Sequence, residues 1–181
     1  VPLPGLSYRD RLPLTWQTAE TDGLPADWAV QNQRMLTALA TLDERTRIEP
    51  ETPGAQEFER LHHKFDLMIE LLGALLRAAQ PLPAPRPVCV GAEGLAWPLD
   101  ADAPQPGACV DVRLYLHPSL PAPLQWRGRV LAHEEGDVLL QFAPWPEALA
   151  AAVERHVFTR HRRSVAGARS PVQRGDGETR T

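Results

Sequence analysis

Lysine occurs once in the 181 residues, at Lys64, cysteine only twice, and aromatic residues make up 6% of the chain. So few cysteines exclude a disulfide-stapled scaffold. Cys89 and Cys109 each fall inside a predicted strand, read as buried thiols and not a bridge, and make the cytoplasm the natural compartment. Long apolar runs are also missing. Phe65 to Leu76 is shorter than the roughly eighteen residues of a membrane span and carries Asp66 and Glu70, so no membrane insertion is expected. No basic segment followed by a small-residue cleavage site opens the chain, and nothing argues for export. The net charge of −4 argues against a general nucleic-acid binder, although positive charge collects at Arg9 and Arg11 and between Arg155 and Arg169.

Catalytic signatures are missing too. There is no G-x-S-x-G, no Walker A and no zinc-ligand spacing, so no enzyme activity and no resident cofactor or metal is expected. Glu59 and His62 form one Glu-x-x-His pair of the kind used in di-iron bundles, but a second copy and further inward carboxylates are lacking. A metal-binding helical bundle is the alternative that this pair keeps open, through duplication across an oligomer. The simpler reading places His62 beside Asp66, one helical turn on. His156 and His161 are five residues apart and fall on different helix faces.

What the chain does have is the stretch Phe58 to Leu76. Phe58, Leu61, Phe65, Met68, Leu72 and Leu75 follow at spacings of three, four, three, four and three, the a/d pattern of a heptad repeat. That register puts His62, Ile69 and Leu76 at e, and Lys64, Leu71 and Ala78 at g. The C-terminal half is therefore apolar at a, d, e and g together, wider than a two-stranded seam and closer to what four helices bury. One other helix of the chain is expected to cover part of this face and a second copy the rest, with a tetramer preferred over a dimer.

The hydrophobic content of 43% suits one globular domain. In chain order, Leu12, Leu14 and Trp16 alternate as a half-buried strand, which Pro13 limits to an edge or a strand start. A helix follows from Ala26, with Trp28, Met35 and Leu42 one heptad apart, and should stop near Arg47 ahead of Pro50 and Pro53-Gly54. The heptad helix then runs from about Ala55 to Ala79, so that 26–79 reads as an antiparallel helical hairpin. The extended linker Gln80 to Pro87 ends it. Afterwards the period changes to two: Val88 and Val90, Leu95 and Trp97, Val110 to Leu116, Leu124 to Leu131 and Val138 to Phe142 are short strands of a small antiparallel barrel. Pro146 to about Ser164 is helical again, with Leu149, Val153, Val157 and Phe158 on the inner face. The tail 167–181 has little to bury and is expected to be disordered. Trp16, Trp97 and Trp126 are assigned to the barrel, Trp28 and Trp145 to the helix starts.

The order of strand, helical hairpin, short antiparallel strands and closing helix, with LPLTW at the front, GLAW after the linker and VFTRHRRSVA at the end, resembles the atypical PilZ domains. The resemblance covers residues 8–166 and implies an α+β fold, a PilZ-type β-barrel with the hairpin inserted after its first strand. It also implies a cyclic di-GMP-linked regulatory or adaptor role in motility, type IV pili, biofilm or virulence, exerted through an unidentified protein partner.

The resemblance also implies a ligand site that can be checked by position. Standard PilZ domains hold cyclic di-GMP with RxxxR ahead of the first strand and [DN]xSxxG on the second. Arg11 matches the second arginine, but Ser7 stands at the first; Arg9 lies between. Gly94 is kept, while Cys89 replaces the Asp or Asn and Gly91 the Ser. A thiol is a weak hydrogen-bonding group, and several charge-assisted contacts of about 1.5–3 kcal/mol each are forfeited. Weak or absent binding at the standard site is therefore expected. A non-standard pocket built from Arg9, Arg11, Arg162 and Arg163, with Arg160 and His161 nearby, is the alternative if the closing helix packs near Arg11. Otherwise these are helix-terminal cations.

Overall fold

The computed structural model describes residues 3–21, 23–43, 54–79, 81–118, 120 and 122–168. Alternation of side chains generates the first strand, β1 (Ser7–Thr18), with Tyr8, Leu12 and Leu14 buried and Arg9, Arg11 and Thr15 exposed. This strand is longer than the sequence suggested. Pro13 sits in its middle, neither at an edge nor at a start, because the pairing partner changes there. Ser7 to Pro13 pair with β2 (Pro85–Gly91) and Leu14 to Thr18 with β4 (Cys109–Leu114). At that junction the proline's missing N–H costs no ladder bond, and its carbonyl accepts from Tyr115 N–H at 3.0 Å.

With β3 (Gly94–Pro98), β5 (Leu124–Glu134) and β6 (Asp137–Phe142), the strands close an antiparallel barrel in the order β1-β2-β3-β6-β5-β4. β2 begins at Pro85, inside the segment read as linker, because Pro85 and Pro87 pair with Pro13 and Arg11. A register shift between Val130 and Ala132 turns Leu131 out to solvent. The barrel interior holds Val90, Leu95, Trp97, Val112, Trp126 and Leu140, all nearly inaccessible. Trp126 stacks on Phe142 at 4.6 Å, and Trp145 meets both rings edge-on.

Two helices close the remaining apolar openings. α3 (Glu147–Ala168) buries Leu149, Val153 and Val157 against the barrel; Phe158 is exposed, contrary to its expected place on the inner face. Phe158 is one residue past Val157, about 100° round the helix, and so leaves the buried stripe. α3 runs two residues into the expected tail; 169–181 lie outside the described residues.

α1 (Ala26–Asp43) buries Met35, Leu36 and Leu39 and packs on α3 and β5. The connection at 44–53, with the expected helix stop near Arg47, is outside the described residues. α2 (Ala55–Ala79) matches its expected limits, but α1 does not pack along it. The helices are inserted between β1 and β2 as expected, and among the described residues α1 and α2 are not packed along each other. α1 spends its apolar face on the barrel, and among the described residues the heptad seam stays exposed.

Candidate functional site

β1 sends Arg9 and Arg11 to the outer surface, beside Cys89 and Pro87 of β2. Arg9, Cys89, Ala96 and Asp137 line a pocket of about 190 Å³ there, and Arg11 donates from its guanidinium to the Pro85 carbonyl at 3.1 Å. Gly94 lines a different pocket of about 180 Å³, with Leu3, Glu93, Leu131 and Glu134. Its lack of a side chain has a structural cause: a Cβ at Gly94 would stand 2.6 Å from the Leu140 carbonyl oxygen, so the close approach of β3 to β6 demands glycine.

The cysteines are free, as expected, but only Cys89 is fully buried. It points outward and belongs to one buried cluster with Leu3 and Ala96, with Leu139 alongside. Cys109 is half-buried and lies 3.3 Å from the Thr21 carbonyl.

The closing helix docks on the start of β1 through polar groups. Tyr8 Oη and His156 Nε2 are 3.2 Å apart, His161 Nδ1 donates to the Ser7 carbonyl at 2.6 Å, and Arg160 pairs with Asp10. The Arg160 guanidinium also lies 5.6 Å over the Tyr8 ring. Burial pushes the Tyr8 phenol well above its ordinary range, against the pull of Arg160, and keeps it neutral. Arg160 and His161 are therefore docked on β1 instead of acting as solvated helix-terminal cations.

Arg162 and Arg163 do not join them. The Arg162 guanidinium lies 5.7 Å over the exposed Phe158 ring, and Arg163 borders a groove of about 500 Å³ between α1 and α3. Gln33, Thr37, Arg155, His156 and Thr159 also line that groove. The arginines named from sequence thus occupy four places: Arg9 and Arg11 on the outer barrel face, Arg160 on Asp10, Arg162 over Phe158 and Arg163 at the groove. Sequence reasoning missed Asp10 and Tyr8, whose partners lie about 150 residues away in the chain and which no local pattern marks.

Arg127 was read only as part of a strand. Its guanidinium grips the buried Asp111 carboxylate at 2.6 and 2.9 Å, donates to Thr21 Oγ1 at 2.8 Å and lies 5.5 Å over the Trp28 ring. These contacts fasten the connection from β1 to α1 and the start of α1 on the barrel.

On α2 the six seam residues Phe58, Leu61, Phe65, Met68, Leu72 and Leu75 are all exposed, Leu75 to 67%, and Leu67 and Leu71 join them. His62 donates from Nδ1 to the Phe58 carbonyl at 2.9 Å and does not reach Asp66. Among the described residues no three His, Cys, Asp or Glu side chains gather around a common point, and no helix is long and apolar enough to cross a membrane.

Residues 36–170 match the family described as the atypical PilZ domain, cyclic di-GMP receptor. No curated protein matches the chain. Among solved structures, the chain is similar to a pathogenic protein of Xanthomonas campestris described as a new tetrameric PilZ domain self-assembled via an unusual helical bundle. The two share 26% identity over 90% of this chain and 91% of the other, with a TM-score of 0.67.

Proposed function

The chain belongs to the atypical PilZ domain family, described as cyclic di-GMP receptors, and from that premise we propose that it is a non-enzymatic adaptor that assembles on itself through α2. In this reading residues 8–166 form one domain and the assembly is a tetramer. The outer barrel face has lost the standard means of holding cyclic di-GMP, and the output is control of motility, type IV pili or virulence through a cytoplasmic protein partner.

The exposed ridge on α2 carries the proposal. Eight large apolar side chains lie on one helix, each about half exposed or more. Burying such side chains contributes roughly 1.5–3 kcal/mol apiece, and in proteins most of a helix's stability comes from packing its apolar face. Apolar character at a, d, e and g suits four helices, and the similar Xanthomonas protein is a tetramer assembled by a helical bundle.

Light scattering coupled to size exclusion tests this. The wild-type chain should elute at four times its chain mass, and Phe65→Glu with Met68→Glu should reduce it to the monomer while the circular dichroism of the barrel is kept. A double variant that stays at the wild-type mass would count against the seam.

A second reading, a cyclic di-GMP receptor with a non-standard arginine pocket, is favoured by the α1–α3 groove. Its roughly 500 Å³ and its lining by Arg155, His156 and Arg163 suit a phosphate-bearing ligand. Calorimetric titration with cyclic di-GMP decides: binding lost in Arg155→Glu/Arg163→Glu supports this reading, and no heat from the wild-type chain excludes it.

A further inference from the structure

Proline and glycine in Leu3-Pro4-Gly5-Leu6 are the signals of an irregular segment, yet Leu3 is only 9% exposed. Its side chain leaves the segment and lands on the outer face of β2 and β3, where it forms one buried cluster with Cys89 and Ala96, and Leu139 packs against their edge. The fit depends on missing side-chain atoms. A Cβ at Gly91 would lie 3.2 Å from Leu3 Cδ1, and one at Gly94 would lie 3.7 Å from Leu3 Cδ2. Gly5 turns the chain between this contact and β1 with φ of +82°, a conformation that L-residues rarely adopt.

We infer that residues 3–6 form an intramolecular strap whose Leu3 plugs the outer face of β2 and β3, so that any ligand or partner using this face must first displace it. The socket has the chemistry of its occupant. Cys89 is small and weakly polar, and Gly91 and Gly94 leave room for a branched apolar side chain. A longer side chain at 89 would have to fit into the same packed cluster, and a hydroxymethyl group at 91 would crowd Leu3. Cys89 and Gly91 therefore suit the floor of a site that Leu3 fills. What the strap excludes rests on the proposed reading of this face as the family's degenerate ligand face; the strap itself rests on the Leu3 contacts alone.

Cys89 supplies the readout, because it shares the buried cluster with Leu3. In a Cys109→Ser background, an aromatic disulfide reagent should modify Cys89 slowly in the otherwise unaltered chain. Leu3→Asp should accelerate the reaction roughly ten- to a hundredfold, the range set by removing a buried leucine from its contacts. Gly5→Val changes neither plug nor socket and should accelerate it as well, by straining the turn that delivers Leu3.

Amide hydrogen exchange in β4 and β5 separates strap opening from loss of the barrel, since protection there should be unchanged. Equal Cys89 rates with and without Leu3→Asp would overturn the strap, as would acceleration matched by loss of protection in β4 and β5. Titrating Leu3→Asp with cyclic di-GMP distinguishes the two proposals. Binding gained together with faster Cys89 modification upholds the strap but overturns the degenerate-site reading, and faster modification without binding upholds both.

Discussion

The side-chain amide of Asn32 takes both backbone groups of Gln125: it donates to the Gln125 carbonyl at 2.7 Å and accepts from the Gln125 N–H at 2.9 Å. β5 pairs with β4 from Leu124 onward but with β6 only from Gly128. On the side of β5 facing β6, Gln125 has no strand partner. Asn32, itself fully buried on α1, completes the ladder in its place. One amide thus fixes the helix on the barrel and satisfies a strand end.

Asn32→Ala leaves that N–H and carbonyl unmade in a buried place. At about 1–3 kcal/mol for each unsatisfied group, with some relief from entering water, the loss should be about 2–4 kcal/mol in urea unfolding. Asn32→Asp should cost at least as much near neutral pH, since a carboxylate would oppose the Gln125 carbonyl. A change below about 0.5 kcal/mol for Asn32→Ala, the range of a bystander surface change, would show that α1 is held by its apolar contacts alone.

Tyr8 gives the fold an alkaline limit. Its phenol is raised by burial, so the folded state retains the proton more strongly than the unfolded chain does. This contribution is whole below the unfolded value of roughly 10 and is lost as pH rises above it, at up to about 1.4 kcal/mol per pH unit. Tyr8→Phe removes this dependence but also the contact with His156, so it should be less stable by about 1 kcal/mol at pH 8 and lose stability less steeply above pH 10. Parallel curves in thermal melts across that range would exclude Tyr8 as the cause.

Gly94 matches a ligand motif, but its surroundings assign it a structural duty that can be tested directly. With a Cβ 2.6 Å from the Leu140 carbonyl oxygen, Gly94→Ala must push β3 from β6 and should cost about 1–3 kcal/mol in urea unfolding. Gly91→Ser, whose nearest neighbour is the movable end of Leu3, should cost much less. Equal effects of the two substitutions would refute the distinction.

Much of this was legible from residues alone, and the boundary has a physical cause. The limits of α2 follow from a three–four spacing bracketed by Pro53-Gly54 and the proline-rich segment from Pro81, and the later strands follow from alternation. Both signals are local. The spacing of α2 says which face is apolar and not what covers it, so the expectation that α1 would share the seam failed once α1 met the barrel. The early start of β1 was hidden by Asp10, a carboxylate at an inward-leaning position that is tolerated because Arg160 pairs with it from α3. Leu3 is the same case: its neighbours spell an irregular segment, and only the far-off glycines of β2 and β3 make it a core residue.

Four helices and two helices demand different things of the positions beside the seam, and Leu71 separates them. It sits at g, is 61% exposed and lies outside the a/d row. A two-stranded coil tolerates charge at g, whereas a four-stranded bundle buries that position. Leu71→Glu should therefore leave Phe65, Met68 and Leu72 able to pair yet make the closed bundle carry a desolvated carboxylate from each chain. Native mass spectrometry at micromolar concentration should show dimers in place of tetramers, while Phe65→Glu with Met68→Glu in the same experiment gives monomers. A Leu71→Glu chain that remains tetrameric would place g outside the contact and leave the breadth of the apolar face unexplained by assembly.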